Sequence, residues 1–408
     1  MSFAHLASPE TIDADAAESA LTHARDASVP VLTAAERDVI TRTGAAAPAV
    51  LPLLLARPPL VAQLARELEV HGRIAPAEVI PDRPLEDKES AQRFLRRARD
   101  EALVRTALRE LYGHADVDRT AKEWSSVASQ CADVATNVAR AIVEKRQGVP
   151  LDADANRVPF TVLGMGKLAG EELNLGSDID LCYFYETDDG AAGERTIHEH
   201  FSKVGSLVTS LLDDVTDDGF VFRVDLRLRP EGSRGAIANA LASAERYYET
   251  WGRPWERAVL LRSRPCAGDI SFGKLLLESL SPFVFRRAVD PMIAVEVARM
   301  LDRARREQLQ DDERDLKLGR GGIREAEFFV QSLQLVWGGM HRALRVPGTV
   351  QAVRRLQSLA LITRREGEDF LDAWAVLRRA EHRVQVMAAY ATHLVPTEPA
   401  RKTALARS

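Results

Sequence analysis

Around residue 160 the hydrophobic pattern of the chain changes period, and this change limits the folds open to it. Upstream, ESALTHARDA, PPLVAQLARELEVHGR, SAQRFLRRARDEALVRTALRELYG and SSVASQCADVATNVARAIVEKRQG repeat apolar residues every three to four positions, the spacing of one helix face. From Phe160 to Glu186 the chain reads FTVLGMGKLAGEELNLGSDIDLCYFYE: a buried strand, a glycine turn, a helix of about nine residues, and a second strand of β-branched and aromatic residues. A helix follows in IHEHFSKVGSLVTSLLDDV. FVFRVDLRLRP (220–230) then alternates strictly, with Phe222, Val224, Leu226 and Leu228 on one face and Arg223, Asp225, Arg227 and Arg229 on the other, until Pro230 ends it. SAERYYETWGRPWERAVLLRSRPCAGD reads as two helices, with Pro254 near the start of the second. From about 281 to 408 the pattern is helical again, broken by KLGRGGIRE at 317–325.

So few strands support neither a barrel nor a full doubly wound sheet. The expected fold is α+β and mostly helical: an N-terminal helical region (1–155), a small α+β module (156–270) and a C-terminal helical domain (271–408). GVPLDADANRVP (148–159) is the first boundary. The last residues, EPARKTALARS, stop in helix-favouring sequence without a cap, so a longer parent polypeptide is expected.

A net charge of −5 implies no general affinity for nucleic acid, but arginine is dense at 223–264 and 299–324, which points to local anionic ligands. Cys131, Cys182 and Cys266 are odd in number, far apart and without metal spacing, as in a reduced cytoplasmic protein. The first twenty residues lack the cationic and apolar regions of a signal peptide. The longest apolar run, Gly44 to Ala56, contains Pro48 and Pro52 and is too short to span a membrane. His198 and His200 fall on different faces of their helix and read as surface residues.

Gly164-Met165-Gly166-Lys167-Leu168-Ala169 matches the G-x-G-x-x-A of a dinucleotide fold, with Glu186 where that fold keeps its ribose ligand. The helix after the turn is short for a crossover, however, and that reading gives no role to the carboxylates beyond it. Asp178 and Asp180 are two apart on a strand and point to one face; like charges aimed at one spot need a cation between them, and Mg²⁺ suits oxygen ligands and phosphates. If the strand carrying Asp225 lies beside them, three carboxylates converge, as two-metal phosphoryl chemistry requires. Gly164 and Gly166 let backbone approach a phosphate, Lys167 adds charge, Ser177 offers a donor, and Arg227 and Arg229 neutralise the transferred group. Lys317 and Arg324, with Arg320, flank Gly321-Gly322 as an anion contact.

GMGKLAGEELNLGSDIDL, DLRLRPEGSRG, YYETWGRPWERAVLLRSRPCAGD and KLGRGGIREAEFFVQ, between about 161 and 334, resemble the signature blocks of bacterial bifunctional glutamine synthetase adenylyltransferase/adenylyl-removing enzymes. The resemblance implies a polymerase-β-like nucleotidyltransferase module, with metal carboxylates at Asp178, Asp180 and Asp225 holding two Mg²⁺ ions. ELNLGSDIDL, GRPWERA and KLGRGGIRE are closer to the N-terminal, adenylyl-removing half of that family, which uses phosphate to take AMP from a tyrosine of adenylylated glutamine synthetase and releases ADP. A PII-type nitrogen signal protein is the partner implied for the full-length enzyme. Ala169, where glycine is usual, and Ala326, where a larger apolar residue is common, depart from the family pattern. The alternatives are the forward, ATP-dependent adenylylation and a non-catalytic nucleotide-sensing regulatory module.

Overall fold

The computed structural model of the chain describes residues 32–286, 292–308, 313–388 and 392–399, with isolated positions elsewhere. The expected helix in ESALTHARDA lies outside the described residues. The N-terminal helices are α1 (Ala34–Ala46), α2 (Leu51–Leu55), α3 (Pro58–His71), α4 (Lys88–Leu111) and α5 (Val117–Gln147). Three of them start where the sequence supplies an acceptor for otherwise unpaired N–H groups: Thr33 in a capping box for α1, Asp87 for α4 and Asp116 for α5. Pro52 and Pro58 sit in the first turns of α2 and α3, where a missing N–H costs nothing.

The central sheet is built from β1 (Phe160–Met165), β2 (Ile179–Tyr185), β3 (Val224–Asp225), β4 (Ala238–Ala240) and β5 (Ser263–Gly268). The order is β3-β2-β1-β5, with β4 also on β2. β1 is antiparallel to both β2 and β5, while β3 and β4 run parallel to β2. Between these strands lie α6 (Gly166–Ala169), α7 (Ile197–Asp213), α8 (Leu241–Thr250) and α9 (Pro254–Leu261). After β5 come α10 (Ile270–Ser279), α11 (Ser281–Val284), α12 (Met292–Gln308), α13 (Ile323–Trp337), α14 (Thr349–Ser358) and α15 (Arg364–Ala388).

Period-two alternation sends each strand's side chains into two cores. Phe160, Val162, Ile179, Leu181, Tyr183 and Tyr185 join the core shared with α5 and α7. Leu163, Met165, Cys182 and Phe184 join a second core with α8, α9 and α10. Burial on both faces explains why these strands read as continuous apolar runs. By the same alternation Asp180 shares the face of Cys182 and Phe184, at the end of β2. Among the described residues no helix is long and apolar enough to cross a membrane.

The antiparallel pairing of β1 with β2 excludes the parallel crossover that a dinucleotide fold requires, in agreement with the sequence, where that reading leaves the carboxylates without a role. Four expectations are corrected. The helix after the glycine turn is four residues, not nine, because Gly170 caps it and Glu171 turns to positive φ. Ser263–Gly268, within a segment expected to be helical, is an edge strand; Pro265, which has no N–H, stands beside the register shift opposite Val162 and Leu163. The alternating segment 220–230 forms ladder bonds only over Val224–Asp225, because Arg229 folds back onto Leu226 to start a turn. The fourth concerns His200, which is wholly buried beside Phe201 rather than on the surface; His198 does face outward, with the Tyr185 hydroxyl on its Nδ1.

Candidate active site

β2 and β3 bring three carboxylates to one end of the sheet. Ile179 pairs with Val224 and Asp180 with Asp225, so the last two stand side by side on neighbouring parallel strands. Asp178 lies just before β2, exposed. The three act on one another electrostatically. Burial and the nearby Asp225 push the Asp180 carboxyl up to about 6, with Asp178 adding to the rise. Asp178 is raised by the same two causes. At Asp225 burial also works upward, but Arg227 outweighs it and holds the carboxyl below its ordinary value. Arg227 donates its backbone N–H and Nε to Oδ1 at 2.8 and 3.0 Å, and Nε and an Nη to Oδ2 at 2.9 and 2.5 Å.

The glycine turn closes one side. Gly166 has φ +56°, and a Cβ there would stand 3.3 Å from Asp180 Oδ2. A side chain would therefore be strained and would crowd the carboxylate. Gly164 serves packing instead: a Cβ would meet Leu168 Cδ2 at 2.8 Å. The Lys167 ammonium is bound by Glu381 Oε1 of α15 at 2.8 Å. Ser177 is tied by its backbone N–H to the Asn174 carbonyl, two residues upstream of β2.

The loop before α13 closes the other side. Asp315 Oδ1 accepts from the N–H groups of Lys317 and Leu318, and Arg305 of α12 donates to the carbonyls of Leu318 and Gly319. Gly322 caps α13. Lys317 and Arg324 are thereby held where their charges oppose the rise in Asp180. Lys317 acts on Asp178 as well, and on Lys167. Arg229 adds its charge at Asp225, but its guanidinium donates to the carbonyls of Leu226, Ser233 and Gly235 and shapes the 226–235 loop. Two open clefts flank the 78–85 strap on α4 and α5, and none of the three aspartates lines them.

A ring of hard oxygen donors that repel one another is chemically suited to Mg²⁺. Asp178 and Asp180 fit that role as they stand, whereas Asp225 is engaged by Arg227. Among the described residues no three His, Cys, Asp or Glu side chains are gathered closely enough to hold an ion outright. The fit is thus one of donor chemistry and strand placement.

Sequence reasoning missed a buried charge network behind the site. Arg262, between α9 and β5, donates to Glu172 at 2.5 Å and Glu327 at 2.7 Å. Glu172 also accepts from Thr349 N–H at 2.5 Å, and its carbonyl accepts from Arg378. Arg378 holds Glu381 at 2.5 Å. Glu172, Arg262 and Glu327 lie inside the signature blocks, but only their burial marks them, and nothing local marks Arg378 or Glu381.

The glutamate-ammonia ligase adenylyltransferase family model matches residues 38–279, and the GlnD PII-uridylyltransferase model matches 294–408. Several bifunctional glutamine synthetase adenylyltransferase/adenylyl-removing enzymes are similar to the chain. That of Thioalkalivibrio sulfidiphilus is 36% identical over 85% of this chain and 36% of its own length. The Xanthomonas campestris pv. campestris protein is 39% identical over 76% and 33%, and the Stenotrophomonas maltophilia protein 37% over 88% and 38%. The chain spans about a third of the length of these curated relatives. The first family match takes in more than half of the chain together with β1 to β5, Asp178, Asp180 and Asp225, and the chain belongs to the glutamate-ammonia ligase adenylyltransferase family.

Proposed function

We propose that this chain removes AMP from adenylylated glutamine synthetase by phosphorolysis. The observation that carries the reading is the register of Asp180 with Asp225 on adjacent parallel strands, with Asp178 one turn of the pleat away and a rim of Lys317 and Arg324. Such a site opposes carboxylates, which call for a cation, to cations, which call for an anion. The choice of the removing direction rests on the resemblance of ELNLGSDIDL, GRPWERA and KLGRGGIRE to the adenylyl-removing half.

In the proposed reaction an oxygen of inorganic phosphate attacks the α-phosphorus of adenylyl-tyrosine. The new P–O bond makes ADP, the bond to the tyrosine oxygen breaks, and the phenolate takes its proton from solvent. Phosphate is anionic near neutral pH, so no strong side-chain base is demanded. Asp178, Asp180 and Asp225 would hold two Mg²⁺ ions, which supply charge stabilisation to the phosphoryl oxygens and to a leaving group of pKa about 10. Lys317, Arg324 and Lys167 draw the phosphate and the nucleotide's oxygens to the rim. Ser177 offers a neutral hydroxyl donor, whereas the Gly166 N–H is already given to the Arg262 carbonyl at 2.8 Å. Arg227 reaches the transferred group from Asp225, with which it is already paired; Arg229 keeps the loop beneath it in shape.

We place the protein in the cytoplasm, where its three buried, unpaired cysteines stay reduced. The match of residues 294–408 to a PII-uridylyltransferase model favours a PII-type signal protein as a partner of the full-length enzyme.

The test is substrate choice. Adenylylated glutamine synthetase with phosphate and Mg²⁺ is expected to yield ADP, and Asp178→Asn or Asp180→Asn to abolish it while the chain stays folded. Pyrophosphate release from ATP with the unmodified synthetase, and no ADP from the adenylylated form, would reverse the assignment to the forward reaction. Tight nucleotide binding without either turnover would make the chain a sensor.

A further inference from the structure

Lys167 belongs to the glycine turn, yet its partner comes from far along the chain. The Lys167 ammonium meets Glu381 Oε1 at 2.8 Å, with side-chain exposures of 18% and 1%. Glu381 is not a loose counter-ion. Its other oxygen is held by Arg378 at 2.5 Å, and Arg378 also donates to the carbonyl of Glu172 in the loop that leads to Asp178. The glycine turn and the Asp178 loop are thus both fastened to one turn of α15.

We propose that Glu381 is a positioning residue for the reaction, holding the Lys167 ammonium charged and in place on the glycine turn whose Gly166 borders Asp180, so that the phosphate-facing side of the site is completed by α15. The inference rests on the proposed phosphorolysis and on Lys167 facing an anion there. One of the three ammonium N–H groups is used on Glu381 and two remain for an anionic oxygen. A buried lysine without a counter-charge sheds its proton or swings to water. Burial already pushes Lys167 down to about 8, and Arg378 on α15 and Lys317 on the loop add to that pressure. Glu381 is the largest opposing charge, with Glu327 of α13 contributing less. Glu381 is itself pulled well below the carboxylate range by Lys167 and Arg378, in spite of its burial, and stays ionised throughout. Loss of Glu381 would therefore leave Lys167 neutral in the range where the wild type keeps it charged.

The experiment is a pH series of phosphorolysis kinetics on the 408-residue chain and its variants. In Glu381→Gln the KM for phosphate is expected to rise about tenfold at pH 8, the loss of one charge-assisted contact. The basic limb of kcat/KM should move to lower pH by about one unit. Glu381→Asp should recover most of both effects. Lys167→Arg cannot lose its proton in this range, so its basic limb should vanish even if Glu381→Gln fails to fold. An active wild type whose Glu381→Gln form keeps its phosphate KM and its basic limb, or a Lys167→Arg form that retains the limb, would overturn the role alone. A wild type with no phosphorolysis at all would overturn the proposed reaction, and this role with it.

Discussion

Asp180 on β2 and Asp225 on β3 occupy paired positions of parallel strands, yet their carboxyls are shifted in opposite directions: Asp180 upward, Asp225 downward. Arg227 makes the difference. It lies two residues beyond Asp225 and curls back onto its carboxylate, whereas Asp180 faces its cations, Lys317 and Arg324, at longer range. The pair therefore holds one carboxylate that is satisfied and one that is waiting for a cation.

The unsatisfied member costs stability at neutral pH. The Asp180 carboxyl lies near 6 in the folded chain against an ordinary 3.8, so the folded state binds its proton more tightly than the unfolded state. The associated stability is present below pH 4 and is lost as the pH rises through 6. Asp180→Asn, which carries no charge, should be more stable than the wild type at pH 8 by about 3 kcal/mol and nearly equal to it at pH 4. Thermal melts at both pH values in chelator check this, and a variant that is less stable at pH 8 would contradict it.

Divalent metal should offset most of that difference. A ligand that binds only the folded chain stabilises it by about 2.7 kcal/mol at a hundredfold excess over its Kd. Mg²⁺ is expected to raise the wild-type Tm at pH 8 and to leave that of Asp180→Asn nearly unchanged, and EDTA should restore the starting value. Equal shifts in both proteins would mean that the ion binds elsewhere.

The parts of the molecule legible in its sequence are those whose signal is local. β1 and β2 are buried on both faces, so their apolar runs announce themselves. Asp178 and Asp180 declare a shared face by their spacing. β5 was hidden by Pro265, because its place in the sheet depends on β1, about a hundred residues earlier, and on a bulge that tolerates the missing N–H. Asp225 was nominated by alternation, but only strand pairing sets it beside Asp180. Arg262, Glu172, Glu327 and Glu381 left no trace, since a buried charge and a solvated one look alike until the partner is in place.

His200 makes a separate claim about acid stability. It is wholly buried on α7, and neither ring nitrogen has a hydrogen-bond partner among the described residues. Burial lowers its pKa, and the nearby Arg140 and Arg157 lower it further against Glu144. The unfolded chain therefore takes up a proton near pH 6.5 that the folded chain resists, so this group's stability is complete above that pH and falls as the pH drops below it. A full extra proton corresponds to about 1.4 kcal/mol per pH unit. His200→Leu should flatten the loss of stability between pH 7 and 5, read as the urea midpoint at each pH. An unchanged slope would show that other groups set it.

Arg262 is a buried charge outside the carboxylate site. Its side chain is 6% exposed and bridges Glu172 and Glu327, at 11% and 10%. Glu172 ties it to the N-terminus of α14 through Thr349, and Glu327 ties it to α13. Such a triad adds little over an apolar replacement of the whole set, but removing its centre leaves two carboxylates buried and facing one another. Arg262→Met should therefore cost about 3–5 kcal/mol by urea unfolding. Arg262→Lys should fall between, because an ammonium lacks the planar fork that serves both carboxylates. If the triple replacement of Arg262, Glu172 and Glu327 by methionine recovers most of that loss, the triad serves to align the α13–α14 junction with β5. A triple variant as unstable as Arg262→Met would mean that its hydrogen bonds to Thr349 carry the stability instead.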